Sequence, residues 1–316
     1  MKALHPPDMT VVIITPDTYG TIRRTIDHIR AQTVKDSLEL VIVAVSPVDL
    51  EVDSRELDGL NSFQIVSLPD VNSYGEAMAR GVRAASAPLV VFAEDHVFPD
   101  PGWAEALIDS HQNGRAAVGP VMYNANPADT IGWADLLIGY SEWLYPHPGG
   151  EMSHLPGHNS SYRRDILLEY GPELDRLLEA ETVLHWDLRA KGHKLYLEPR
   201  ARLYHLCLGF LGTFLTVHFY MGRMFAATRS QNWPGIKRAA FTLGSPLIPF
   251  VRFFGIVRNY SGNKELLTAK TLAYPALALG LMVSAIGEMA GYALGIGDSV
   301  EKTFQYHFHR DSHVRK

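Results

Sequence analysis

Cysteine is scarce in this chain: Cys207 stands alone among 316 residues, which excludes an intramolecular disulfide. A lone thiol fits a reducing compartment such as the cytoplasm. An excess of basic charge is also lacking, since 29 lysines and arginines face 34 aspartates and glutamates and the formal net charge is -5. Because nucleic-acid binding depends on positive charge, we expect no nucleic acid as a main partner.

The first residues lack the pattern of a signal peptide, because the apolar run that begins at Met9 is short and leads directly into Pro16 and Asp17. Internal repeats and low-complexity tracts are not visible either. A composition of 47% hydrophobic and 20% charged residues is that of a folded protein, and the length suffices for one large core or two modest ones. We therefore expect a folded chain whose N-terminal half lies in the cytoplasm.

Three short runs rich in valine and isoleucine, at 10–15, 38–45 and 89–93, alternate with stretches of helical periodicity at 21–32 and 74–85. Strands that alternate with helices indicate an α/β domain with parallel strands buried on both faces. Ligands of such sheets bind beyond the carboxyl ends of the strands. Glu94, Asp95 and His96 follow the third run directly, so they are the first candidates for a site.

The composition changes after residue 205. The segments 206–221, 239–257 and 272–297 are strongly apolar, but only the last cleanly reaches the ~20 residues needed to cross a bilayer. The first two are short, interrupted and flanked by basic residues, which suits helices that lie in or re-enter a membrane interface. The alternative is that all three are core helices. We divide the chain into an α/β domain, 1–205, and a helical, membrane-associated region, 206–316.

The residues 90–96, VVFAEDH, followed by Pro99, Pro101, Gly102 and Trp103, resemble the metal-binding strand end of family 2 glycosyltransferases. That family usually carries Asp-x-Asp there, whereas this chain has Glu94 and His96 around Asp95. The resemblance implies a Mn2+ or Mg2+ site that neutralises a leaving diphosphate, with Asp95 and His96 as metal ligands and Glu94 and Asp95 at the donor. The alternative for the cluster is a helix cap or a solvated loop.

Two later segments extend the resemblance. Residues 157–164, GHNSSYRR, are similar to the strand that lines the family's sugar pocket, which implies that His158 and Asn159 contact the sugar or acceptor. Residues 179–192, EAETVLHWDLRAKG, are similar to the acidic pair that opens a helix in this family. The similarity implies that Glu181 is the general base of an inverting transfer and that Trp186 contacts the acceptor. The alternative for Glu181 is a charge that stabilises the helix N-terminus.

His205, after Pro199, lies where such enzymes often have a third metal or diphosphate ligand, and a structural histidine is the alternative. Near the N-terminus the resemblance implies that Thr15, Pro16 and Asp17 hold the nucleotide, although Asp17 also suits a helix cap.

Within the segment 75–81 the resemblance places Arg80 near the diphosphate. The chain departs from the family at Ala44, where an aspartate normally binds the base or ribose, and at Ala180, where the first acid of the pair is missing.

The resemblance covers residues 9–206 and implies a GT-A fold, a Rossmann-like mixed sheet that holds a nucleotide sugar. We expect an inverting transfer from a nucleoside diphosphate sugar to a lipid-linked or saccharide acceptor. The location implied is the cytoplasmic face of the membrane, with the apolar region peripheral, re-entrant or singly spanning. Two alternatives stay open: a soluble cytoplasmic transferase that dimerises through its apolar helices, and a catalytically silent binding protein. The tail 306–313 is expected to be loose and polar rather than a metal site.

Overall fold

The computed structural model describes residues 5–46, 48, 50, 52–69, 73–260 and 271–314. These residues fall into two compact units. The first comprises Met1–Tyr123 and Tyr145–Tyr204, and the second comprises Asn124–Leu144 and His205–Lys316. The longer segment of the second unit thus begins one residue before the predicted apolar region, and the unit also takes in an earlier segment that composition does not distinguish.

The first half of the first unit alternates strands and helices as the hydrophobic runs predict. Its elements are β1 (Met9–Thr15), α1 (Tyr19–Arg30), β2 (Leu38–Ala44), β3 (Ser62–Ser67), α2 (Tyr74–Ala84) and β4 (Leu89–Ala93). β1 lies between β2 and β4 and is parallel to both, with Met9 opposite Leu38 and Leu89. Every residue of β1, β2 and β4 is buried, which explains why their sequences are almost continuously apolar.

The second half of the unit makes the sheet mixed. Its elements are β5 (Val97–Pro99), α3 (Trp103–His111), β6 (Ala117–Asn124), β7 (Gly150–Glu151), β8 (Ser161–Arg163), α5 (Arg164–Leu168), α6 (Glu173–Leu178), α7 (Glu181–Ala190) and β9 (Leu195–His205). The strand order is β3-β2-β1-β4-β8-β6-β9-β5, with β7 paired to β9. The short β8 is antiparallel to both β4 and β6, and Ser161 lies opposite Val91. This pairing brings the residues before β8 next to the carboxyl end of β4.

The second unit is helical. Its elements are α4 (Thr130–Tyr140), α8 (Leu211–Ser230), α9 (Gly235–Gly244), α10 (Ile248–Tyr260), α11 (Tyr274–Leu294) and α12 (Ser299–Phe304). Among the described residues, two helical stretches are long and apolar enough to cross a membrane, Gly235–Asn259 and Tyr274–Leu294. The sequence alone identified only the second, because Pro246, Pro249 and Arg252 interrupt the apolar run of the first.

Glycines let α8 and α11 pack closely. A Cβ atom on Gly287 would lie 2.0 Å from the carbonyl oxygen of Phe219, and one on Gly291 would lie 2.3 Å from that of Arg223. In the other direction, a Cβ on Gly222 would lie 2.3 Å from the Ser284 carbonyl. The two helices therefore meet backbone to backbone, as small residues allow.

The end of the described chain is packed rather than loose. Phe308 and Arg310 are buried, and the backbone N–H of Gly209 donates to the carbonyl of His313 at 2.8 Å. The expectation of a loose polar tail is therefore wrong for these residues. Cys207 lies in the same unit and is fully buried.

Candidate active site

The acidic cluster occupies the turn between β4 and β5, and all three of its side chains are buried. The hydroxyl of Thr25, on α1, donates to the carbonyl oxygen of Glu94 at 2.9 Å and so fixes the start of this turn. Asp95 Oδ1 lies 2.6 Å from His96 Nδ1, and His96 Nε2 lies 3.6 Å from Glu94 Oε1. An ionised carboxylate only accepts, so Nδ1 carries a proton, and the lone pair that Nε2 has in the neutral ring faces Glu94.

Glu94 is held from a second direction by the turn Gly157–Asn159, which precedes β8. Asn159 donates from Nδ2 to Glu94 Oε2 at 3.1 Å, and His158 Nδ1 lies 3.4 Å from Glu94 Oε1. The two residues that the sequence associated with the sugar or acceptor are thus brought to the carboxylate of the metal motif. They are in place because β8 pairs with β4.

Glu181 begins α7, and its Oε1 lies 2.9 Å from His158 Nε2. The approach depends on Gly157, because a Cβ atom there would lie 2.7 Å from Glu181 Oε2. One imidazole therefore bridges the carboxylates of Glu94 and Glu181. Tyr74, the first residue of α2, covers the same imidazole with a ring-centroid distance of 4.7 Å.

The charge of this bridge follows from its surroundings. Burial by itself lowers the pKa of His158, but the charge of Glu181 and its hydrogen bond, together with Glu94, outweigh burial and raise that pKa well above its usual value. His158 is therefore an imidazolium near neutral pH, with Nδ1 close to Glu94 and Nε2 close to Glu181. A single positive charge lies between two buried carboxylates.

The other carboxylates near the start of α7 have structural partners. Glu179 Oε1 accepts from the backbone N–H of Gly75 at 2.8 Å and from the hydroxyl of Ser73, so it caps α2. Burial raises the pKa of Glu179, while these two hydrogen bonds and the charge of His158 act in the opposite direction. Asp187 accepts from the Tyr170 hydroxyl at 2.6 Å and pairs with Lys191 at 2.8 Å. Of the three, Glu181 is the one that reaches His158.

The predicted nucleotide loop follows β1. Asp17 accepts from the backbone N–H of Thr18 at 2.6 Å and from the Thr21 hydroxyl at 2.7 Å, so in this structure it stabilises the start of α1. Thr15 is buried and donates to the carbonyl of Thr18 at 3.1 Å, and Pro16 is partly exposed. Asp17 is not itself the N-cap of α1, which is Thr18, and its role at the nucleotide stays a prediction.

Three further predicted site residues lie on α2, on α7 and at the end of β9. Arg80 is exposed on α2, six residues and so about 9 Å along the helix axis from Tyr74. Trp186 is half-buried on α7. His205 ends β9 and opens the second segment of the second unit, where its Nδ1 lies 3.4 Å from Cys207 Sγ and its ring contacts Tyr140. Its role as a third metal ligand stays a prediction.

The donor set at the β4 turn fits a divalent cation. A carboxylate oxygen and a nitrogen lone pair, 3.6 Å apart, can bind one ion at bond lengths of about 2.0–2.2 Å, since two ligands of one ion lie at most about 4.4 Å apart. Asp95, which is hydrogen-bonded to the far nitrogen of His96, has the position of the carboxylate that orients a metal-binding histidine.

Sequence reasoning missed Tyr74, Gly157 and the capping role of Glu179. A signal was present for the cap, because Ser73 and Glu76 have the spacing of a helix N-terminal capping box, and Ser73 Oγ accepts from the Glu76 N–H at 3.0 Å. The partner of that cap is 106 residues away in sequence. Nothing in the local sequence of Gly157 indicates that Glu181 packs against it.

The family model described as Glycosyl transferase family 2 matches residues 10–171, about half of the chain. The chain is 27% identical over 176 residues to the glucosyl-dolichyl phosphate glucuronosyltransferase of Haloferax volcanii, covering 52% of this chain and 55% of that protein. It therefore spans about half the length of this curated relative.

Among solved structures, the chain is similar to the mannosyltransferase PcManGT from Pyrobaculum calidifontis, solved in complex with GDP-Man and Mn2+. The TM-score is 0.54 at 14% identity, over 90% of this chain and 87% of that one. This likeness concerns the fold, and it confirms the GT-A architecture with apolar helices in the C-terminal region. With the family motifs in order along the sheet and the family model matching half of its length, the chain belongs to glycosyl transferase family 2.

Proposed function

We propose that the chain is an inverting glycosyltransferase that moves a sugar from a nucleoside diphosphate sugar to an acceptor hydroxyl. The observation that carries this proposal is the bridge at His158, which joins the carboxylate of the metal motif, Glu94, to the carboxylate at the start of α7, Glu181. Glu181 and Glu94 lie on either side of the His158 ring. This arrangement suits a displacement in which the acceptor hydroxyl loses a proton at one end and the leaving diphosphate gains negative charge at the other.

Glu181 is the base in this proposal. As the acceptor oxygen attacks the anomeric carbon, its proton passes to the Glu181 carboxylate and the bond from that carbon to the diphosphate oxygen breaks. Attack opposite the leaving group inverts the configuration. The His158 contact and the helix N-terminus hold the carboxylate in place before the acceptor arrives.

Glu94 and His96 would hold the divalent cation, Asp95 would orient His96, and His205 is the proposed third ligand. A bound Mn2+ or Mg2+ would supply positive charge against the leaving diphosphate. The similar mannosyltransferase was solved with Mn2+, which supports the choice of ion class.

The remaining assignments concern the substrates. We place the nucleotide at Thr15 and Pro16, the diphosphate near Arg80 and the acceptor near Trp186. The name of the Haloferax relative supports a lipid-linked acceptor, and the two apolar helical stretches support transfer at a membrane, for which we propose the cytoplasmic face. A homo-oligomer is compatible with this scheme.

The test is a donor panel with and without metal. Purified protein is incubated with UDP- and GDP-sugars in Mn2+ or in EDTA, with a polyprenyl phosphate or its glycoside as acceptor, and release of nucleoside diphosphate is measured. We expect metal-dependent release with at least one donor and a product whose anomeric configuration, read by NMR, is opposite to that of the donor. A product of retained anomeric configuration refutes the role of Glu181 as base. If no donor gives nucleoside diphosphate release and none shows metal-dependent nucleotide binding, the proposal that the chain is an enzyme is refuted.

A further inference from the structure

The helices α9 and α10 carry an apolar face that the rest of the described protein leaves uncovered. Six large apolar side chains on them and on the short turn Ser245–Leu247 that joins them are between 64% and 84% exposed: Ile236, Leu243, Leu247, Phe250, Val251 and Phe254. Their successive spacings of seven, four, three, one and three residues place them on one side of a continuous helical stretch. Exposed apolar surface of this extent marks a site of interaction.

The polarity of this stretch is inverted relative to a soluble amphipathic helix. The charged residue near the middle of α10, Arg252, is directed toward the protein, where it donates to Ser284 Oγ at 3.4 Å and to the carbonyl of Ile138 at 3.2 Å. It also pairs with the buried Glu288 at 3.7 Å. Apolar side chains that face outward while the charge faces inward are expected where the surroundings are hydrocarbon.

The other apolar stretch, α11, has a different environment. Its glycines pack against the backbone of α8, as described above for Gly287 and Gly291, and half of its apolar window is buried within the unit, against 17% for the stretch Gly235–Asn259. α11 has exposed apolar side chains too, since Met282, Ile286 and Met289 are 37% to 51% exposed and Leu294, at its end, is 78% exposed. Its buried Glu288 and its backbone contact with α8 nevertheless tie α11 to the unit along one side, so the more exposed apolar face is that of α9 and α10.

The charges around the apolar face have one predominant sign. Residues 231–260 contain four basic residues and no acidic one: Lys237, Arg238, Arg252 and Arg258. Setting aside Arg252, which pairs with Glu288, leaves three basic residues. Basic residues beside an apolar face complement an anionic lipid surface.

We propose that α9 and α10 lie in the plane of an anionic membrane surface with their apolar face in the lipid, while α11 stays within the protein and does not cross the bilayer. The inference rests on the proposed transfer to a membrane-near acceptor, whose position it explains. Docking of this kind is peripheral and reversible. It places the protein on one side of the membrane without a spanning segment.

The experiment is flotation with preformed vesicles, using full-length protein purified without detergent. Vesicles of phosphatidylcholine alone are compared with vesicles that contain phosphatidylglycerol, at low and high salt. We expect binding to the anionic vesicles, weakening in high salt, and exchange of bound protein to fresh vesicles. The double variant Phe250→Asp and Phe254→Asp should lower the vesicle partition coefficient by roughly a hundredfold or more, since each phenylalanine removed from lipid accounts for about tenfold.

The matched control is Val48→Asp, which places the same charge at an equally exposed apolar residue of the first unit and should leave vesicle binding unchanged. Thermal unfolding of each variant shows whether it is folded. A protein that can be obtained only with detergent overturns the inference, because α11 then behaves as a spanning helix. Failure to bind anionic vesicles also overturns it, as does a dimer that the double variant converts to monomer. Metal-dependent donor hydrolysis without lipid tests the proposed function separately.

Discussion

Replacing Glu181 by glutamine removes a negative charge and a proton acceptor while keeping the size of the side chain. The amide oxygen of glutamine can still accept from His158 Nε2, which lies 2.9 Å from Oε1 in the native protein. His158 also keeps Glu94 as a partner, so the imidazolium is not left unpaired. We therefore expect the variant to fold and to bind nucleotide with nearly native affinity.

The expected kinetic loss follows from the role assigned to the carboxylate. A positioned general base contributes about 10²–10⁴ in rate. At about 1.4 kcal/mol per tenfold change this corresponds to a barrier increase of roughly 3–5 kcal/mol. Because the charge of Glu181 is the largest influence that raises the pKa of His158, that pKa should also fall in the variant.

The assay is kcat for sugar transfer at saturating donor and Mn2+, together with the nucleotide Kd from calorimetry. The matched control is Asp187→Asn, a neutralised carboxylate on the same helix whose partners are Tyr170 and Lys191. We expect the control to retain its rate. If Glu181→Gln turns over within about threefold of the native protein, or if the control loses as much, the base lies elsewhere.

Three further outcomes are expected. Gly157→Ala places a Cβ atom 2.7 Å from the Glu181 carboxylate and should lower kcat by about 10–100-fold, because it displaces that carboxylate. Gly102→Ala is the control and should keep its rate, because no atom lies within 4 Å of its new Cβ. Equal rates for the two variants would refute the contact between Gly157 and Glu181. Asp95→Asn should weaken Mn2+-dependent nucleotide binding by about 10–100-fold in a metal titration, and unchanged affinity would exclude an orienting role. Burial lowers the pKa of His185 to about 3, so its contribution to stability is complete above about pH 6.5 and falls below it by up to ~1.4 kcal/mol per pH unit. Urea unfolding between pH 7 and pH 5 should show this slope, and His185→Asn should flatten it; an unchanged slope would contradict the assignment.

The central strands could be predicted from sequence because burial of a strand produces a continuous apolar run. β1, β2 and β4 are buried on both faces, so apolar residues occupy almost every position, and the observed ends lie within one residue of the predicted ones. β7 and β8 have two and three residues, too few for any periodicity. Their existence depends on pairing with strands that are distant in sequence, so local patterns could not reveal them.

The site shows the same division. Glu94, Asp95 and His96 could be found because they directly follow a strand, and the resemblance to the family singled out Glu181. The bridge at His158 could not be found, because it requires β8 to bring the turn Gly157–Asn159 beside β4 and requires a glycine at position 157 for α7 to approach. For Glu179 the sequence position is misleading. It suits a second candidate for the base, but in the structure the carboxylate of Glu179 accepts from the N-terminus of α2.

The burial of Cys207 has a practical value for spectroscopy. The chain has no other cysteine, and this side chain is fully enclosed in the second unit, so thiol reagents should react slowly with the native protein. A cysteine introduced at the exposed Phe254 would then be the reactive thiol, and an environment-sensitive fluorophore attached there would report immersion in lipid. The same fluorophore at Val48 gives the aqueous reference, so the depth of docking becomes measurable in an otherwise native chain.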